Sequence, residues 1–114
     1  MLDRRRSRPS RQVDPAVVFA ALGDATRLSL IGRLSAGTPL SISRLAEGSA
    51  LTRQAVTKHL RVLETAGVVG RQRSGRESLY RLEPARLVAM RSYLDGISRH
   101  WDEALVSLKA FVER

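Results

Sequence analysis

The sequence predicts a mainly α-helical domain with one small β-hairpin. Apolar residues recur at three- and four-residue spacing through five segments. Each of those segments opens on a capping residue or a proline. A stretch over 68–82 breaks the helical spacing around Ser74-Gly75, residue types that make tight turns. At 114 residues the chain makes one domain with a core of its own. Apolar residues are 43% of it and charged residues 27%, the balance of a packed protein. No uninterrupted apolar run approaches the roughly 18 residues of a membrane span. The chain has no cysteine, which removes disulfides, thiolate metal sites and a cysteine nucleophile. Arg4-Arg5-Arg6 leads into polar residues rather than an apolar stretch, so no secretory signal is read and a cytoplasmic location is expected.

Residues 1–12 carry five arginines and few apolar groups, and are expected to form a disordered basic arm. Residues 13–114 form the folded domain. Asp14-Pro15 opens the first helix, with Asp as cap and Pro at the first helical position. Its apolar side is Val17, Val18, Ala21 and Leu22. Asp24 caps the second helix, whose buried stripe is Leu28, Ile31 and Leu34, with Leu30. Arg27 is expected to make an ion pair with Asp24 at this helix start. Ser41 caps a short helix to about Glu47, in which Ile42, Leu45 and Ala46 face inward. Gly48-Ser49-Ala50 turns the chain. Thr52 then caps a stronger helix over about 52–66, with Val56, Leu60 and Leu63 buried and Gly67 as a left-handed cap. A short helix, a Gly-containing turn and a second helix make a helix-turn-helix.

The hairpin over about 68–82 follows that second helix as a wing. With Ser74-Gly75 as a two-residue turn, 73 pairs with 76, 71 with 78 and 69 with 80. Arg71, Arg73 and Arg76 then share a face toward the tip. Pro84 starts a last helix over about 84–112. In it Leu87, Met90, Leu94, Ile97, Trp101, Ala104, Leu108 and Phe111 keep alternating gaps of three and four. Such a seam exceeds what one small domain needs for a single packing face. It predicts a homodimer joined through Val17 and Val18 of the first helix and Leu94, Ile97, Trp101, Leu105 and Leu108 of the last. Trp101 is the anchor, being the residue type most enriched where interfaces are strongest.

Charge locates the other partner. The net charge is +9. Residues 1–12 hold five basic residues against one acidic, and residues 50–81 hold seven against two. The rest of the chain is balanced. An excess gathered into one tail and one segment is the footprint of a polyanion binder. In that segment the face opposite Val56, Leu60 and Leu63 presents Arg53, Gln54, Thr57, Lys58 and Arg61. Gln54, Thr57, Lys58 and Arg61 form one continuous stripe. Gln reaches adenine N6 and N7, Arg or Lys reaches guanine O6 and N7, and a Thr methyl touches thymine, so the stripe suits the major groove of duplex DNA.

The sequence resembles the ArsR-type winged helix-turn-helix regulators. Phe19-Ala20-Ala21-Leu22-Gly23-Asp24-Ala25-Thr26-Arg27-Leu28 is close to the family's opening, aLgdptRl. Val56-Thr57-Lys58-His59-Leu60-Arg61-Val62-Leu63-Glu64-Thr65-Ala66-Gly67-Val68-Val69 is close to its vSkHLkvLreaGLV. Gly75-Arg76-Glu77 with Tyr80-Arg81-Leu82 matches the wing. The resemblance implies a cytoplasmic homodimeric repressor on an inverted-repeat operator. It assigns DNA contacts to Arg53, Gln54, Thr57 and Lys58 of the recognition helix, and to Arg73 and Arg76 of the wing.

Two alternatives stay open at the level of the residues: a basic RNA-binding protein, and a helical protein-interaction module using the last helix. Against RNA stand only five aromatic residues, none in a basic strand. Enzymatic function is not expected, because no Gly-rich phosphate loop follows a strand and neither histidine sits in a triad pattern. Many relatives sense metals through cysteine pairs, or through histidines and carboxylates on the last helix. Here cysteine is absent. His59 lies in the recognition helix, and His100, beside Asp102 and Glu103, lacks the second histidine of the family's site. No metal, cofactor or inducer is read from the sequence. Titration of the purified chain with Zn²⁺ is therefore expected to reveal no site of micromolar or tighter affinity. A tight site lost in His100→Ala would overturn this.

Overall fold

The computed structural model describes residues 14–113, and the basic arm expected over 1–12 lies outside them. The element order is α1 (Pro15–Leu22), α2 (Ala25–Leu34), β1 (Leu40–Ser41), α3 (Ile42–Ala46), α4 (Arg53–Thr65), β2 (Val69–Ser74), β3 (Glu77–Leu82) and α5 (Pro84–Glu113). The first four helices begin at the caps the sequence indicates. The side chains of Asp14, Asp24, Ser41 and Thr52 accept from the backbone N–H groups of Ala16, Arg27, Arg44 and Ala55. Each satisfies a donor that the first helical turn leaves without a partner.

The core gathers around α4. Val56, Leu60 and Leu63 are wholly buried, and around them lie Val18 of α1, Leu30 and Leu34 of α2, Leu45 of α3, Val68, Val69, Tyr80 and Met90. One position of the expected α2 stripe is displaced. Leu28 is 53% exposed, because Leu30 and Leu34, four apart, take the inward face. Two residues along a helix point nearly opposite ways, so Leu30 inward turns Leu28 outward. Ile31 is partly buried at the edge of the core.

The end of α4 is fixed by a double hydrogen bond. Gly67 N–H donates to Glu64 O, and Val68 N–H donates to Leu63 O, each at 2.9 Å. With Gly67 at φ +78°, this is a Schellman motif, and the side chains of Leu63 and Val68 that flank it are both buried. The guanidinium of Arg86, from the first turn of α5, lies directly over Gly67. Its Nε is buried without a hydrogen-bond partner, against the carbonyl end of α4 where a positive charge is favoured.

The three strands form an antiparallel sheet in the order β1-β3-β2. Leu40 pairs with Tyr80, a two-residue strand too short to be visible as a pattern in sequence. The wing is present with a corrected register. Ser74 pairs with Glu77, Arg73 with Ser78, Arg71 with Tyr80 and Val69 with Leu82. The turn is therefore Gly75-Arg76, not Ser74-Gly75. Gly75 has φ +62° and no residue other than glycine has positive φ among the described residues. A tight hairpin turn with glycine first and an ordinary residue second places the glycine at the position that demands positive φ. The shift by two preserves the faces, so Arg71 and Arg73 still share one, but Arg76 moves from a paired strand position to the tip.

Helix α5 runs for 30 residues, roughly 45 Å at 1.5 Å per residue. Only its beginning meets the core. Arg86 and Met90 are buried, Leu87 is partly buried, and Tyr93 touches Phe19 of α1 with ring centroids 5.9 Å apart. Beyond that contact Leu94, Ile97, Trp101, Leu105 and Leu108 are exposed. No single helix among the described residues is long and apolar enough to cross a membrane. The Gly67 motif yields a stability test. A Cβ at Gly67 would lie 2.7 Å from Arg86 Nε on a backbone of positive φ. Gly67→Ala is expected to lower unfolding free energy by about 1–2 kcal/mol for the left-handed backbone alone, measured by urea titration.

Candidate nucleic-acid interface

Presentation of the α4 surface starts with the docking of α3. Arg33 on α2 donates from Nη1 to Leu45 O at 2.7 Å and from Nη2 to Arg44 O at 2.8 Å. A guanidinium on the last carbonyls of a helix satisfies acceptors that have no helical partner and complements the helix dipole. Arg33 thus ties α3 to α2. Ser49 then organises the turn: its hydroxyl donates to Ala46 O at 3.0 Å and accepts from Leu51 N–H at 3.1 Å. From there Thr52 caps α4 and sets which face is bare.

That bare face carries the residues expected of it. Arg53, Gln54, Lys58 and Arg61 are exposed, and Thr57 is half-buried. The Thr57 hydroxyl donates to Arg53 O at 2.8 Å, so the methyl is the part of this side chain left for an outside contact. Arg61 also borders a shallow apolar groove between α1 and α4, lined by Val17, Ala20, Ala21 and Val62. On the wing, Arg73 and Arg76 are exposed. Arg71 pairs with Glu64 of α4 at 3.5 Å and fastens the wing to the helix. Arg81 is used within the sheet, at 2.9 Å from Glu83 and 3.2 Å from Gln72.

The cations from α1 to β3 therefore fall into two groups, and Arg91, Arg99 and Lys109 of α5 also lack a carboxylate partner among the described residues. Arg27, Arg33, Arg44, Arg71 and Arg81 are engaged by the protein itself. Among the described residues Arg53, Lys58, Arg61, Arg73 and Arg76 have no carboxylate within ion-pair distance. The second group is the set expected to contact a polyanion, and it lies on α4 and the wing. A positive surface without internal counter-charges holds phosphates and releases their counterions.

Arg27 departs from expectation. Its backbone N–H, not its guanidinium, meets Asp24, at 3.0 Å from Oδ2. That N–H, assisted by the Arg27 charge, holds the Asp24 carboxyl below its ordinary range. The guanidinium instead bonds carbonyls of α1 and the ring of His59. Neither this contact nor the Arg33 clamp has a signature in the sequence, since both join residues far apart in the chain. Of the residues proposed for a dimer surface, Val18 is fully buried in the chain's own core, and Val17 alone of that pair offers surface. Cysteine is absent from the chain, and among the described residues of one chain no group of three or more His, Asp or Glu comes together.

The α3-turn-α4 unit with its attached wing defines a helix-turn-helix protein, and residues 22–71 match the helix-turn-helix domain family. The HTH-type transcriptional regulator Rv2034 of Mycobacterium tuberculosis (strain ATCC 25618 / H37Rv) is 36% identical over 99 residues, covering 87% of this chain and 89% of that protein. The solved structure of an ArsR-like transcriptional regulator from Rhodococcus sp. RHA1 is 37% identical. It superposes with a TM-score of 0.76 over 85% of this chain and 91% of that one. The solution structure of a homodimeric winged helix-turn-helix DNA-binding domain from Mycobacterium bovis, at 20% identity and TM-score 0.62, covers 87% of this chain and 93% of that one and shares the fold. The chain belongs to the ArsR-type winged helix-turn-helix transcriptional regulators.

Proposed function

We propose that this regulator is a cytoplasmic repressor, a homodimer that binds an inverted repeat in duplex DNA and keeps transcription off while bound. The observation that carries this reading is the separation of its cations. Those that brace the fold are internally engaged, while Arg53, Lys58, Arg61, Arg73 and Arg76 are left without counter-charge on α4 and the wing, as Arg91, Arg99 and Lys109 are on α5. Arg53 and Gln54 start the exposed end of α4, where a recognition helix meets base edges in the major groove. Arg73 and Arg76 on the wing, and the basic residues of 1–12, hold phosphates. RNA recognition is disfavoured because Tyr80, the aromatic residue of the sheet, is buried rather than offered for base stacking.

The dimer reading rests on α5. Its exposed apolar residues continue the stripe that Met90 begins in the core, and a second copy would cover them. Two reading helices related by a dyad fit half-sites one helical turn apart, roughly 34 Å, or a multiple of it. Trp101 lies in the middle of this surface.

The roles of helix and wing separate by substitution. Gln54→Ala or Arg53→Ala is expected to weaken binding to the true site by about 1–3 kcal/mol and to relax base preference. Arg76→Ala is expected to weaken specific and random duplexes equally, because a phosphate contact carries no sequence information. Quantitative band shifts across a set of operator variants check this, and a change of base preference in Arg76→Ala would make the wing the reader.

Truncation after Gly96 is expected to abolish dimerisation and operator binding together. Sedimentation of the intact protein as a monomer at micromolar concentration would sink the dimer.

A further inference from the structure

His59 sits on α4 between its read-out surface and the end of α1, and its ring is held from outside its own helix. Arg27 Nη1 is 3.2 Å from His59 Nδ1. The same guanidinium donates through Nε to Ala21 O and through Nη2 to Ala20 O at 3.4 Å. Three edges of one planar fork thus meet two carbonyls of α1 and one ring of α4. A guanidinium only donates hydrogen bonds. The short contact therefore requires the lone pair on Nδ1, which places the ring proton on Nε2. We propose that Arg27 is the positioning residue of the recognition helix, clamping α4 to α1 through the neutral, Nε2-protonated form of His59.

Protonation of His59 undoes this clamp. A ring that donates at both nitrogens has nothing to accept from Arg27, and its positive charge repels the guanidinium. The Asp24 carboxylate, with Oδ2 at 3.9 Å from Nδ1, takes the ring instead. Among the described residues no other carboxylate lies within ion-pair distance of His59. Helix α1 carries no ionisable side chain over Pro15–Leu22. On α4 itself Lys58 and Arg61 add positive charge nearby, and Glu64 is paired with Arg71 of β2. Arg44 of α3 is paired with Glu47. Protonation of the ring therefore moves the partner of α4 from Arg27 to Asp24. The inference rests on the DNA-binding reading for its consequence, but not for its chemistry.

The test uses the full chain, a duplex recovered from random sequence by in-vitro selection with this protein, and a scrambled duplex. Arg27→Lys keeps the charge but cannot span two carbonyls and a ring. It is expected to lose roughly tenfold or more on the selected duplex, the equivalent of one hydrogen bond to a charged group, with little change on the scrambled one. Gln at position 59 can accept from Arg27 through Oε1 and does not titrate. His59→Gln should therefore keep the parent's affinity at pH 8 and lack the decline expected of the parent on acidification. Long-range ¹H–¹⁵N spectra, with His100→Gln to assign the remaining ring, should show an Nε2-protonated tautomer that becomes mixed in Arg27→Lys. Equal losses on both duplexes would make Arg27 a phosphate contact, and an Nδ1-protonated ring or an unchanged pH profile in His59→Gln would overturn the clamp. A chain that selects no duplex, yet shows the Nε2 tautomer and its loss in Arg27→Lys, would leave the clamp standing and refute the DNA reading.

Discussion

Everything in this fold depends on one helix having two incompatible sides. Val56, Leu60 and Leu63 of α4 are fully buried, while Arg53, Gln54, Lys58 and Arg61 are exposed. The buried side is the centre of the core, touched by α1, α2, α3 and the sheet. The exposed face of α4 is therefore no appendage. Any rotation of α4 that moved its outer residues would also drive polar atoms into the core, at a cost of several kcal/mol per unpaired group. Rigid presentation of the outer face follows from burial of the inner one.

Around that helix the fold uses arginines as struts. Arg33 closes the carbonyl end of α3, Arg71 joins the wing to α4, and Arg27 reaches from α2 to both α1 and α4. A fork with five donors ties together elements that already share the apolar core. Net charge therefore overstates the binding surface. The fraction left without an internal partner is the relevant quantity, and it lies on α4, the wing and α5.

Local features were legible in the sequence, and long-range ones were not. Asp14, Asp24, Ser41 and Thr52 mark helix starts because capping is a bond within one turn of the chain. Gly67 marks the end of α4 for the same reason. The wing was legible as a hairpin, but its register was read two residues off. Ser74-Gly75 and Gly75-Arg76 are both plausible turn pairs, and only the backbone angle of Gly75 decides between them. Leu28 shows the limit of periodicity: Leu28, Ile31 and Leu34 fit a helical stripe as well as Leu30 and Leu34 do, and the tertiary core chooses. The candidate contact residues were legible because they face away from that core. Arg27 and His59 were visible only as members of a family motif, since their bond spans 32 positions.

The placement of Trp101 has a consequence for spectroscopy. It is the single tryptophan of the chain, and it stands 65% exposed on α5, past the last residue that α5 buries in the core. Its fluorescence therefore senses the surroundings of the protruding half of α5 and is nearly blind to the packing around α4. A melting curve followed by tryptophan emission would record the uncovering of that helix. One followed by helical dichroism would record the loss of the domain as a whole. A separation between the two curves measures how far the protruding helix and the reading helix come apart as independent units.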